Sequence, residues 1–278
     1  MAPNLATIVT LTPSKARYQI TARATRIWEV EANEADKPYS LDMVLLDQEG
    51  DQIHATIPRR LINQYAETLK EGPIYRIQHF EVVESARSYR PVTSTNNIIK
   101  WTSFTSIVED NQSLPIAKHN FEFYPIDNLA QRTNKLDHLI VRNYSFHKMA
   151  CRNHNVRVTL WGKTADLIEE STIINCSEQK VVIITSTKVV DFKGETQVQS
   201  TYATKVYVNL EIPETRKLME RLAYLQKKHH ILHIVYILKQ KLKYIEWRYI
   251  SCTNCKSGLN EEGKCRECKN KIDCPIQR

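Results

Sequence analysis

The sequence predicts a mainly β chain: two small closed barrels in tandem, followed by a metal-binding segment. Three observations carry this. An order of strand, turn, strand, short helix, strand and hairpin recurs in both halves. The usual glycine signatures of nucleotide-binding α/β folds are missing. Four of the 7 cysteines fall within 17 residues near the C-terminal end.

The elements follow in order. Tyr18–Trp28 (YQITARATRIW) mixes aromatic and β-branched residues, a strand composition. Ser40–Leu46 runs into the polar turn Asp47-Gln48-Glu49-Gly50, and Gln52–Ile57 then alternates, giving strand, turn and strand. Pro58–Leu69 starts on proline and places Leu61, Ile62, Tyr65 and Leu69 at helical spacing, and Gly72-Pro73 stops it. Ile74–Val83 is a further strand, Ala86–Pro91 a basic and aromatic stretch, and Ile98–Val108 closes the first half. Asp110–Pro115 reads as a linker. Beyond it, Val156–Leu160 is a strand ending at Trp161-Gly162, Thr164–Glu170 a short helix and Lys180–Val190 a buried-type strand. Asp191–Gly194 is a turn, Gln197–Leu210 holds two short strands, and Pro213–Lys228 is an amphipathic helix with Leu218, Leu222 and Leu225 on one face. Short strands with one helix near the middle fit a five-stranded Greek-key barrel, the OB-fold. Trp28 and Trp101 are expected in the core.

Composition narrows the function. The 278 residues are 42% hydrophobic and 25% charged, enough to bury a core. The 6 glycines include no G-x-G-x-x-G and no phosphate-binding G-x-x-x-x-G-K-[ST]. H-E-x-x-H, G-x-S-x-G and a kinase-like set are also missing, so no enzyme is expected. The nine histidines are scattered; His229, His230 and His233 read as a cationic surface. The net charge of +8 lies wholly in residues 214–278, with 15 basic against 7 acidic residues, while residues 1–213 hold 24 of each. A basic end suggests an anionic partner, nucleic acid above all. The longest apolar run, Ile231–Leu238, is far short of the ~20 residues a bilayer requires, and the N-terminus shows no secretory pattern. An intracellular protein is expected, whose cysteines are thiols or metal ligands rather than disulfides.

Cys252-x2-Cys255 and Cys265-x2-Cys268 form two knuckles separated by a segment holding Gly258 and Gly263. Four thiolates so spaced can occupy the corners of a tetrahedron, the arrangement structural Zn²⁺ prefers. One structural zinc ion is expected, with Cys274 as a spare and Cys151 and Cys176 as ordinary thiols. A closed four-cysteine site leaves no open position for catalysis.

Several segments, in order, resemble the large subunit of replication protein A. Val158–Ala165 (VTLWGKTA) is similar to the V-x-L-W-G-x-x-A segment of that family's second DNA-binding OB-fold. Lys188–Gly194 (KVVDFKG) resembles its V-x-D-F-x-G segment, and Ile212-Pro213-Glu214 the I-P-E before its terminal helix. Tyr249–Cys268 resembles the zinc ribbon of the third OB-fold. More loosely, Tyr18–Thr56 resembles the first, with Asp47–Ala55 matching D-x-x-G-x-x-I-x-A. The match is to plant-type diverged versions, some of which accompany rolling-circle transposons.

The resemblance implies a first OB-fold over residues 1–112, a second, shortened one with its terminal helix over 113–228, and the zinc-ribbon part of a truncated third over 229–278. It implies nuclear binding and protection of single-stranded DNA in replication, repair or recombination. By position, Trp161 and Phe192 would stack on bases, and Lys188 and Lys193 would contact phosphates. In the first fold the family's aromatic position falls at Ile57, followed by Arg59 and Arg60, and the second aromatic near Tyr89 between Arg87 and Arg90. Arg59, Arg60, Arg87, Tyr89 and Arg90 complete the nucleic-acid set. There is little room before Trp161 for the second fold's first strand. The chain stops at Arg278, soon after the knuckles, so assembly with the family's smaller subunits depends on a third fold that is incomplete here. An OB-fold scaffold for protein partners and a transposon-derived relic with weak nucleic-acid binding are the alternatives.

Overall fold

The computed structural model describes residues 4–14, 17–31, 38–85, 90–92, 94–111, 114–134, 140–145, 156–168, 180–229, 250–251 and 276–277. The chain divides into two compact units, Met1–Val235 and Tyr236–Arg278. Cys252, Cys255, Cys265 and Cys268, expected from sequence to bind zinc, lie outside the described residues, as do Arg87 and Tyr89.

The first sheet contains β1 (Asn4–Leu5), β2 (Tyr18–Glu31), β3 (Pro38–Leu46), β4 (Gln52–Pro58), β5 (Ile74–Gln78), β6 (Glu81–Glu84), β7 (Asn97–Lys100) and β8 (Ser106–Glu109). β2 pairs antiparallel with β3, β3 with β4, and β4 runs parallel to β7. β7 pairs with β6, and β5 pairs with β2. Because only His79 and Phe80 separate β5 from β6, the sheet curls round on itself so that β6 follows β5 along the chain while pairing with β7. Inside lie Ile20, Ala22, Met43, Leu45, Ile53, Ala55, Ile57, Ile77 and Ile99, with Trp101 packed edge-on against Tyr65 at 4.6 Å. Trp28 is also buried, though in a separate cluster on the outer face of the sheet.

The stretch Pro58–Leu69, read from sequence as one helix, forms a 3₁₀ turn, Arg59–Leu61, and a single helical turn, α1 (Ile62–Tyr65). Its apolar residues are buried as their spacing required. The Tyr75 hydroxyl, however, accepts from Lys70 N at 2.9 Å and donates to Thr68 O at 3.2 Å, tying the following residues to β5. Thr164–Glu170 is likewise a 3₁₀ segment, Gly162–Leu167, among the described residues.

The second sheet contains β9 (Ile140–Ser145), β10 (Arg157–Thr159), β11 (Val181–Phe192), β12 (Glu195–Gln199) and β13 (Lys205–Val208), followed by α2 (Pro213–His229). β10 is parallel to β12; β11 is antiparallel to β12, β13 and β9. A strand therefore does form ahead of Trp161: the six residues of β9 are enough to pair along β11. Val189, Val198 and Leu129 form the core here, and Leu218 and Met219 of α2 pack on Val181.

The two sheets repeat one hydrogen-bond device. Thr56 O accepts from Trp101 N at 3.0 Å, and Thr159 O from Ser200 N at 2.9 Å. Thr102 N then donates to Thr105 Oγ1 and Thr201 N to Thr204 Oγ1, at 2.9 and 2.8 Å. Both hydroxyls of the first pair donate to His79 O, and both of the second to Ser186 O. His79 and Ser186 have φ of +61° and +51°, so each is the left-handed kink of its bent strand. The threonine pairs interrupt Ile98–Val108 and Gln197–Leu210 and split each into two strands. In the second unit, β14 (Ile250–Ser251) pairs antiparallel with β15 (Ile276–Gln277).

Candidate nucleic-acid interface

The second sheet presents one face to its core and one away from it. Val189 and Val198 point inward. Strand alternation therefore sends Lys188, Val190 and Phe192 away from this core on β11, Gln197 and Gln199 on β12, and Arg157 and Thr159 on β10, which pair in register; of these Gln197 is buried. Lys193 and Gly194 both have positive φ, 56° and 80°, making a two-residue hairpin turn that Asp191 Oδ1 braces by accepting from Gly194 N at 3.1 Å. Phe192 stands at this tip, 49% exposed, with the Lys193 ammonium 5.5 Å from its ring centre.

Trp161 follows β10 and is 54% exposed. Its N–H donates to Ser200 Oγ at 2.8 Å, and Thr164 Oγ1 donates to Trp161 O at 2.5 Å and lies 2.8 Å from Ser200 Oγ. The backbone under the indole is thus fixed while the ring stands in solvent. Phe192 sits opposite Glu195, and Trp161 beside Ser200, five residues along the same strand. At ~3.4 Å per residue the two aromatics stand about 17 Å apart along one outer face. Arg157 and Lys188 lie between them. Arg157 was missed from sequence, yet the alternation of Val156, Val158 and Leu160 around it signals an outward side chain.

In the first sheet the internal repeat aligns Thr56 with Thr159, and so Pro58 with Trp161 and Arg59 with Gly162. Ile57, where the resemblance puts the family's aromatic position but which has no ring to stack, is fully buried in the core. Arg59 and Arg60 are exposed on the 3₁₀ turn after Pro58, and no carboxylate among the described residues pairs with either. Arg90 is half-buried and donates from Nη1 to Asn96 Oδ1, so it is held within the β6–β7 connection.

The outer face of the first sheet is closed. Trp28, Val44 and Val92 cluster with Ala203 of the second sheet. Arg26 is buried there; its guanidinium donates to Ser186 Oγ and, at 3.3 Å, to Pro91 O. Burial lowers the Arg26 pKa to about 10, and burial raises that of the nearby Tyr207 hydroxyl to about 12. Lys205 of β13 pairs with Glu71 of the first half. On the same outer face Asp42 accepts from Ser40, Thr56 and His54.

Residues 9–131 match a family described as Domain of unknown function DUF223. The replication protein A 70 kDa DNA-binding subunit of Xenopus laevis is 26% identical over 239 residues, covering 76% of this chain and 37% of that protein. Replication factor A protein 1 of Schizosaccharomyces pombe is 28% identical over 245 residues, covering 78% of this chain and 39% of that protein. The chain thus spans well under half the length of these curated relatives. A solved structure of a replication protein A heterotrimer bound to ssDNA superimposes with a TM-score of 0.54 at 18% identity, covering 98% of this chain and 76% of that one, a likeness of fold. Over about three quarters of its length, the chain is similar in sequence to the 70 kDa DNA-binding subunit of replication protein A.

Proposed function

We propose that this protein binds single-stranded DNA through two tandem OB-folds and is not an enzyme. The observation that carries the reading is the outer face of the second sheet: Trp161 and Phe192, each about half exposed on a braced backbone, with Arg157, Lys188 and Lys193 beside them. Every base has a π-face, so such a platform holds strands of any sequence, and cations along it follow the phosphates. The Xenopus relative named above is a DNA-binding subunit, and the repeated threonine device supports two copies of one fold. Protection of exposed strands in replication, repair or recombination, a nuclear location and assembly with smaller subunits belong to the same proposal.

Fluorescence anisotropy of a labelled thymidine oligonucleotide of about 30 residues, titrated with the full chain across a salt series, tests it. Trp161→Ala and Phe192→Ala should each weaken binding by about 1–3 kcal/mol at unchanged thermal stability. Binding should fall as salt rises. A folded wild type that binds no strand at low salt would overturn the reading in favour of a protein scaffold.

We also propose that Cys252, Cys255, Cys265 and Cys268 hold one structural zinc ion. Four thiolates are a donor set suited to it. The pairing of Ser251 with Ile276 brings the two ends of the cysteine-bearing segment together. Elemental analysis should give one zinc per chain, lost in Cys252→Ser/Cys255→Ser. Strand binding by Trp161 and Phe192 should survive that loss.

A further inference from the structure

The most exposed large hydrophobic side chain among the described residues is Phe104, at 81%. It sits on the threonine-pair turn of the first sheet. Its own N–H donates to Thr102 Oγ1 at 3.1 Å, and the flanking Thr102 and Thr105 hydroxyls are anchored on His79 O. Thr105 is buried. The ring therefore projects into solvent from a backbone that is held at three points, and little conformational entropy remains to be lost if a ligand covers it.

Its position follows from register. β4 and β7 run parallel, with Thr56 opposite Lys100 and Trp101 N bonded to Thr56 O. Both strands leave the sheet at the same end. Pro58, Arg59 and Arg60 continue from one, and Thr102–Thr105 from the other. The second sheet has the same end, where β10 leads to Trp161 and β12 to the turn Thr201–Thr204. There two aromatics are exposed, Trp161 at 54% and Tyr202 at 52%. In the first sheet the residue aligned with Trp161 is Pro58, which has no π-face. Phe104, on the adjacent strand end, supplies the exposed ring that Pro58 lacks. The cations are present too: Arg59, Arg60 and Lys100 are all exposed.

We propose that Phe104 is a base-stacking residue of the first sheet, with Arg59 and Arg60 contacting the adjoining phosphates, so that a single strand contacts both sheets. This rests on the reading of the protein as a single-strand binder. The test is anisotropy with the same thymidine oligonucleotide and the full chain, comparing wild type, Phe104→Ala, Phe104→Tyr and Trp161→Ala. Phe104→Ala should raise Kd about 5- to 150-fold, the equivalent of one stacked base. Phe104→Tyr should bind within about twofold of wild type, because the π-face is kept. The slope of affinity against salt should not change, since no phosphate contact is removed. Thermal stability should also hold, because the ring is already in solvent. If Phe104→Ala binds like wild type while Trp161→Ala is weakened, the assignment of Phe104 is wrong and the second sheet alone binds. If neither variant is weakened, the broader reading of the protein as a single-strand binder through these aromatics fails with it.

Discussion

Arg26→Ala should lower the stability of the protein by about 2–5 kcal/mol, on the order of 10 °C in midpoint for a chain of this size. The side chain lies between the two sheets, and its loss removes three things at once. Ser186 Oγ loses the guanidinium that donates to it, in the kink that anchors Thr201 and Thr204. Pro91 O loses a donor, on the segment whose Val92 packs against Trp28 and Val44. A cavity opens where the buried side chain stood. Burial has already lowered the Arg26 pKa to about 10, so at neutral pH the group is still charged, and removing it also relieves some desolvation. Arg26→Met, which fills the volume without the charge, should therefore cost less than alanine. Amide hydrogen exchange distinguishes an interface from a packing defect. In wild type the slowest amides of β2–β4 and of β11–β12 should exchange with one common opening free energy. In Arg26→Ala the two groups should separate, with the second sheet opening first. Equal exchange in both proteins would mean that the sheets are stable independently and that Arg26 contributes only local packing.

Docking of this kind bears on the proposed binding. The segment just after the linker is stapled to the first sheet by Arg23, which donates to Ile116 O at 2.8 Å and Ala117 O at 3.1 Å. It meets the second sheet through His119 and Phe121, which pack on Tyr207 at 5.3 and 5.6 Å. A strand that contacts Phe104 on one sheet and Trp161 on the other then meets surfaces whose separation is already fixed. Less ordering entropy opposes its binding than if two free domains had to be aligned.

Much of this was legible in the sequence because it rests on local rules. Alternation and turn residues placed β2, β3, β4 and β11, and the Asp191–Gly194 turn came from its polar and glycine content. Buried Trp28 and Trp101 followed from their place in strand patterns. Other features depend on partners distant in sequence. The kinks at His79 and Ser186 are set by hydroxyls more than a dozen residues away, and nothing local marks either residue as left-handed. The alignment of Pro58, rather than Ile57, with Trp161 emerges from which carbonyl accepts from Trp101 and Ser200. The helix expected over Pro58–Leu69 shortened for the same reason: the Tyr75 hydroxyl competes for its backbone. The closure of the first sheet's outer face involves Ala203, a residue whose side chain gives no sign of a docking role.

Asp42→Ala should cost about 3–5 kcal/mol, although it removes only a small acid. The carboxylate is fully buried on the outer face, where Oδ1 accepts from Ser40 Oγ at 2.8 Å and Thr56 Oγ1 at 2.7 Å, and Oδ2 faces His54 Nε2 at 2.9 Å. Without it three buried donors lose their acceptor, and each such loss costs about 1–3 kcal/mol. His54 sets the finer prediction. Its ring stacks on Trp28 at 5.6 Å, and its Nδ1 is buried with no hydrogen-bond partner among the described residues. The tautomer with its proton on Nε2 donates to Asp42 and leaves Nδ1 as an unfilled acceptor. In Asp42→Asn the Oδ1 bonds can persist, but the amide presents N–H groups to His54. The imidazole must then accept at Nε2 and carry its proton on Nδ1, where nothing receives it. Asp42→Asn should therefore still cost about 1–3 kcal/mol, and the imidazole nitrogen shifts should report the exchanged tautomer. Chemical denaturation measures the first effect, and NMR of the histidine side chains the second. An Asp42→Ala protein that unfolds at the wild-type midpoint would mean that water reaches Ser40, Thr56 and His54. The outer face of the first sheet would then be open, and a strand could lie across it rather than only at its Phe104 end.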